Sequence, residues 1–194
     1  MKRWVLASCL LSLGSLGSLG SLGCGRDSRR DEAALTRADA AASLYATALR
    51  ERLQQAMKQG GPKLAVEVCR SDAKALAVRA GAQSTTRVGR GSLRLRSAAN
   101  APPPWVDGWL KAQGERSAGD VKGVREVQGG VAHVLRPIAV EGVCLTCHGE
   151  PASLAPEVRE ALRAAYPDDR ATGYKVGDLR GALWAEAPVA AAGP

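Results

Sequence analysis

An α/β chain of the α+β kind, with helices flanking an antiparallel sheet, is the fold class that three features of the sequence predict. Apolar residues recur at three- and four-residue steps from Leu35 to Ala56, which is the period of an amphipathic helix. Two strand-like runs, Val121–Val127 and Val131–Val140, meet at Gly129-Gly130, a hairpin signal. A third run, Ala182–Ala187, reads as a terminal strand. With 45% apolar residues the chain can bury a core, yet it has no Phe and only 4% aromatics. Ala, Leu and Val must fill most of that interior, and a flat macrocycle would supply volume that the side chains lack.

The N-terminus sets the compartment. Met1-Lys2-Arg3 is basic, and Trp4–Gly23 is uncharged and rich in Leu, Ser, Gly and Ala, the layout of an export signal over residues 1–23. Its glycine-rich Ser-Leu-Gly repeat is too weakly apolar for a permanent anchor. Ser21-Leu22-Gly23-Cys24 resembles a lipobox, with Ser21 where Leu is usual, and predicts lipidation of Cys24. The alternative is ordinary cleavage nearby and a soluble periplasmic protein. Residues 24–32 then read as a charged tether, 33–187 as one domain and 188–194 as a tail. Removing the signal leaves about 170 residues, an ordinary size for one domain.

The mature chain opens with a helical stripe, Leu35, Ala38, Ala42, Tyr45, Leu49, Leu53 and Ala56, stopped by Gly60-Gly61. Pro62 suits the first turn of a second helix, whose stripe is Ala65, Cys69, Ala73, Leu76 and Ala80 before Gly81. Cys69 therefore falls on a buried face. Thr85–Arg96 reads as extended, with alternation clearest at Leu93-Arg94-Leu95-Arg96. After the proline-rich turn Asn100–Pro104, Trp105, Val106, Trp109 and Leu110 have helical spacing and end near Gly114. The hairpin follows and leads into Cys144. Pro156–Ala165 is a short helix, Tyr166–Tyr174 a turn-rich loop, and Gly177–Gly181 a tight turn before the last strand.

Cys144-Leu145-Thr146-Cys147-His148 carries the chemistry. The Cys-x-x-Cys-His spacing is the attachment signature of haem c: two thiols add to the porphyrin vinyl groups, and the next imidazole binds iron. A tetrahedral zinc site would need two more ligands, usually a second close pair, and only Cys69 and His133 are left. A thioredoxin-like dithiol gives His148 no role. Covalent haem attachment in bacteria takes place outside the cytoplasm, which agrees with the export signal. The sixth iron position has three candidates, His133, Met57 and Cys69. Cys69 reads equally as a small buried hydrophobe. Arg90, Arg94 and Arg96 are candidates for holding the haem propionates through their guanidinium forks; a solvated basic edge strand is the other reading. The net charge of +8 lacks any nucleic-acid-binding motif beside it. Export also argues against nucleic acid; the basic surface is compatible with an acidic protein partner or an anionic membrane face, and equally with a soluble surface that has no specific partner.

The ordered set Ala65-Val66-Glu67-Val68-Cys69, Arg90–Arg96, Asn100-Ala101-Pro102, Cys144–Gly149, Tyr166–Tyr174 and Gly177–Ala182 resembles the Tll0287-like family over about residues 33–187. The resemblance implies a PAS-like fold carrying one covalent haem c, with iron bound by His148 and by a cysteine at the position of Cys69. Arg96-Ser97-Ala98 stands where the family has Arg-Asn-Pro, which weakens carry-over of that loop and of a propionate contact from Arg96. The implied roles are redox or gas sensing, or accessory redox work with a redox or signalling protein partner. The alternative is a periplasmic electron carrier that keeps both iron ligands. Electron transfer or sensing is expected rather than catalysis. A thiolate stabilises ferric iron, so a His/Cys pair predicts a low potential and a Cys69 that can leave on reduction.

Overall fold

The computed structural model describes residues 24–191. The expected export signal, residues 1–23, lies outside them, as does the side chain of Cys24.

Helix α1 (Cys24–Ala82) is 59 residues long and carries a kink at Gly60 (φ −146°) and Gly61 (φ 64°, ψ −160°). Only glycine adopts the Gly61 conformation cheaply, so the pair ends one arm and begins another, as the sequence predicts. Helix already covers the stretch read as a tether. Within it the Glu32 carboxylate receives both terminal nitrogens of Arg125.

Four strands form the sheet: β1 (Arg87–Gly91), β2 (Val124–Gln128), β3 (Val131–Ala139) and β4 (Leu179–Pro188). Their order is β1-β4-β3-β2, and every pair is antiparallel. The last strand in the chain thus enters the middle of the sheet. Gly129 (φ 59°) and Gly130 (φ 76°) turn the β2–β3 hairpin, as a two-residue I′ turn requires. The first arm of α1 packs Ala34, Leu35, Ala38, Ala42 and Tyr45 on Val88, Ala132, Val134, Leu183 and Ala185. Most of these contacts are small residues, which lets the helix approach the sheet closely.

Helix α2 (Pro104–Gln113) covers the other face, where Val106 and Leu110 meet Leu135 and Ala182. Burying side chains such as Leu135 and Val106 contributes about 1.5–3 kcal/mol each. Past β3 come the short helix α3 (Leu145–His148) and α4 (Pro156–Ala165). Val158 and Leu162 of α4 pack with Val66, on the second arm of α1.

The result is the expected α+β architecture: a long N-terminal helix and an antiparallel sheet flanked by helices, a PAS-like arrangement. Within the stretch Thr85–Arg96 that reads as extended, the strand forms near the start and not at the alternating end. The alternating Leu93–Arg96 is not strand, and Leu93 is exposed. The strand forms earlier, where Gly89 makes room for the Trp184 ring and Gly91 for Pro102. Among the described residues no helix is long and apolar enough to cross a membrane.

Candidate functional site

A cleft of about 260 Å³ lies between α1, the sheet and α3. The kink in α1 places Leu53 and Met57 of one arm and Ala65, Val66 and Cys69 of the other on its wall. Cys144, Cys147 and His148 line it from α3 and the turn before it, and Ile138 and Ala139 from the end of β3. Residues distant in sequence, Cys69 and the Cys-x-x-Cys-His motif, therefore open on one apolar space. Their thiols are unpaired and half-buried.

His148 is held by its neighbours. Its Nδ1 lies 2.6 Å from the Ala171 carbonyl oxygen. That oxygen can only accept, so Nδ1 carries the proton and Nε2 keeps its lone pair. Burial, with Arg96 and Arg180 nearby, pushes the imidazole down to about 3, so it is neutral at ordinary pH and available as a metal ligand. The Tyr174 ring stands edge-on to it at 6.2 Å. Burial also pushes the Cys147 thiol up.

A second layer fixes Ala171. Asp169 accepts the Ala171 N–H at 2.7 Å and pairs with Arg96 at 2.9 Å. The two side chains are 10% and 11% exposed, so the pair is nearly out of water. Arg96 also donates to the carbonyls of Cys147 and Ala171. One guanidinium thereby ties the motif to the loop that aims its histidine. This departs from a simple propionate role for Arg96, although its side chain does reach the cleft wall.

The other predicted residues divide. Arg90 lines the cleft from β1. Arg94 does not: it stacks on Tyr174 at 4.1 Å and borders a neighbouring cleft. Of the three candidates for a sixth ligand, Cys69 and Met57 face the cleft. His133 stacks on Trp105 at 4.6 Å, on the α2 side of the sheet. Among the described residues no group of three His, Cys, Asp or Glu side chains comes together to hold a metal ion.

Sequence reasoning missed Arg180. Ile138 pairs with Gly181 and Ala139 with Leu179, leaving Arg180 as the extra residue of a bulge. Bulges re-aim side chains, and Arg180 at this one lines both the cleft and the neighbouring one that Arg94 borders. Its sequence signal was the tight turn Gly177–Gly181, which gave no direction for the side chain.

A family model described as Tll0287-like matches residues 28–188. The crystal structure of the cyanobacterial heme-protein Tll0287 is similar, with a TM-score of 0.53 and 21% identity, covering 90% of this chain and 99% of that one. At that identity the likeness shows a shared fold. No curated protein matches the chain.

Proposed function

The chain belongs to the Tll0287-like family, and on that premise we propose that it is an exported monohaem c-type cytochrome acting as a redox or gas sensor or an accessory redox protein. The observation that carries the reading is the shared cleft of Cys144, Cys147, His148 and Cys69. A bound haem would supply one-electron exchange and a site for a diatomic gas. Cys144 and Cys147 would hold it by thioethers. His148 would bind iron through Nε2, since Nδ1 is committed to Ala171, and Cys69 would approach from α1. Arg90 would face the propionates, as would Arg96 alongside its tie to Asp169; Arg94, which stacks on Tyr174 in the neighbouring cleft, would not.

The apolar wall suits a macrocycle, and no carboxylate stands among the residues lining the cleft. A thiolate bound to ferric iron is a weaker ligand once the iron is reduced and the sulfur is protonated. Release of Cys69 would alter the second arm of α1, the longest element in the fold, and so offers a route for a signal. The proposal includes export to the periplasm, on the basic-then-apolar N-terminal sequence, and a lipid on Cys24 as the anchor.

A carrier that keeps both ligands is the second reading. Val143 favours it: this apolar residue is 69% exposed beside Cys144, as expected where a cofactor edge meets a partner protein.

The haem is tested by a pyridine haemochrome assay on protein made with the cytochrome c maturation machinery. One haem c per chain is expected; zinc without haem would overturn the proposal. Sensor and carrier separate in a reductive titration under CO. An adduct on reduction supports the sensor, and unchanged six-coordination rules it out.

A further inference from the structure

We infer that Arg180 is a carboxylate-binding residue of the cleft, set beside Arg90 to receive the propionates of the group held there. The inference rests on the haem reading above and extends it to a residue outside the arginine-rich segment.

The first support is an unpaired atom. Arg180 Nε is buried and has no hydrogen-bond partner among the described residues, although a guanidinium N–H out of water normally has one. Nη1 reaches only the Arg94 carbonyl, at 3.4 Å, and the Tyr174 ring lies 5.2 Å from the guanidinium carbon. The side chain is held on one flank and unsatisfied on the other. Arg180 lines both this cleft and the neighbouring one that Arg94 and Tyr174 border; its contacts are with residues of the neighbouring one, and the inference assigns the missing acceptor to the first.

The second support is charge. The residues on the cleft wall include three guanidiniums, Arg90, Arg96 and Arg180, and no carboxylate. Behind the wall Asp169 neutralises Arg96. Neither Arg90 nor Arg180 forms a salt bridge among the described residues. Two positive charges therefore face a largely apolar space, an arrangement costly to keep without anions. A haem brings two carboxylates. Planar forks match them bidentately.

The third support is backbone construction. The bulge that aims Arg180 depends on Gly181, where a Cβ would lie 2.2 Å from the Gly91 carbonyl oxygen. The same crossing brings Arg180 beside β1, the strand that carries Arg90.

The test uses haem-loaded full-length protein carrying Arg180→Gln, Arg180→Lys or the exposed control Lys122→Gln, read by resonance Raman and by redox titration at one pH. Arg180→Gln is expected to shift the propionate bending mode and lower the midpoint potential, because removing a nearby cation favours ferric iron. Arg180→Lys should shift the mode while keeping most of the potential, and Lys122→Gln should move neither. An unshifted mode in Arg180→Gln, or in Arg180→Lys where the Gln variant does not load, overturns the inference. Absence of haem from the wild type would instead remove the reading on which it rests.

Discussion

Replacing Asp169 by Asn tests whether the arm that aims His148 is an electrostatic construction. The change keeps the shape and removes one charge from a pair at 2.9 Å, with side chains only 10% and 11% exposed. Arg96 would be left buried beside a neutral amide. Breaking a buried pair from one side costs about 3–5 kcal/mol, most of it from the stranded charge. Asn can still accept the Ala171 N–H through its amide oxygen, so the lower figure, about 3 kcal/mol, is expected. Urea unfolding followed by circular dichroism measures it. The variant should also loosen the Ala171 carbonyl that holds His148 Nδ1, and supports of this kind are worth about 10–100-fold in metal affinity. An Asp169→Asn protein within about 0.5 kcal/mol of wild type would refute the reasoning, because that is the range of ordinary surface changes.

Three further expectations follow from the same coordinates. Asp39 pairs with Arg136 at 2.7 Å and Arg125 at 3.0 Å; burial pushes its carboxyl up, but these bonds outweigh it and hold it below the ordinary 3.8. Its contribution, about 1 kcal/mol for a partly exposed network, is present above that value and lost as pH falls through the lowered one; a gap between wild type and Asp39→Asn that persists in strong acid would contradict this. Gly181→Ala should cost about 2 kcal/mol or more through overpacking, since its Cβ meets the Gly91 backbone; thermal unfolding unchanged from wild type would show the crossing to be looser than described. Gly61→Ala, at φ 64° and ψ −160°, should cost about 1–3 kcal/mol of backbone strain, and a neutral result in urea unfolding would remove the reason given for the kink.

Much of the fold was legible where local signals agree with the tertiary neighbours. Pro156 opens α4 at the predicted residue, and Gly129-Gly130 turns the hairpin because both positions need positive φ. Gly60-Gly61 marked the division between the arms of α1. Which part of Thr85–Arg96 forms β1 was not legible, because its two glycines carry no alternation; what defines them is the Trp184 ring and Pro102 pressed against them. In the helix before Ala33, Glu32 pairs with Arg125, 93 residues away, a partner that local sequence does not indicate.

The site shows the same division. Cys144, Cys147 and His148 stand together because their spacing is local. Cys69 reaches the same cleft through the kink, a placement that helical periodicity alone could not distinguish from an ordinary core position. Arg94 and Arg96 alternate along the chain but end on Tyr174 and Asp169, since the backbone there is not a strand. Arg180 was hidden by a register shift that only the pairing of β3 with β4 defines. The Ala171 carbonyl, which orients the imidazole, is backbone and leaves no mark in residue type.

The proposed function needs both His148 and Cys69 as ligands to the iron of one covalent haem. Low-temperature EPR of the ferric wild type and of Cys69→Ala tests it most directly, on samples matched for haem content. The account predicts a low-spin thiolate signature in the wild type that the variant loses. An identical low-spin spectrum in both proteins would contradict it.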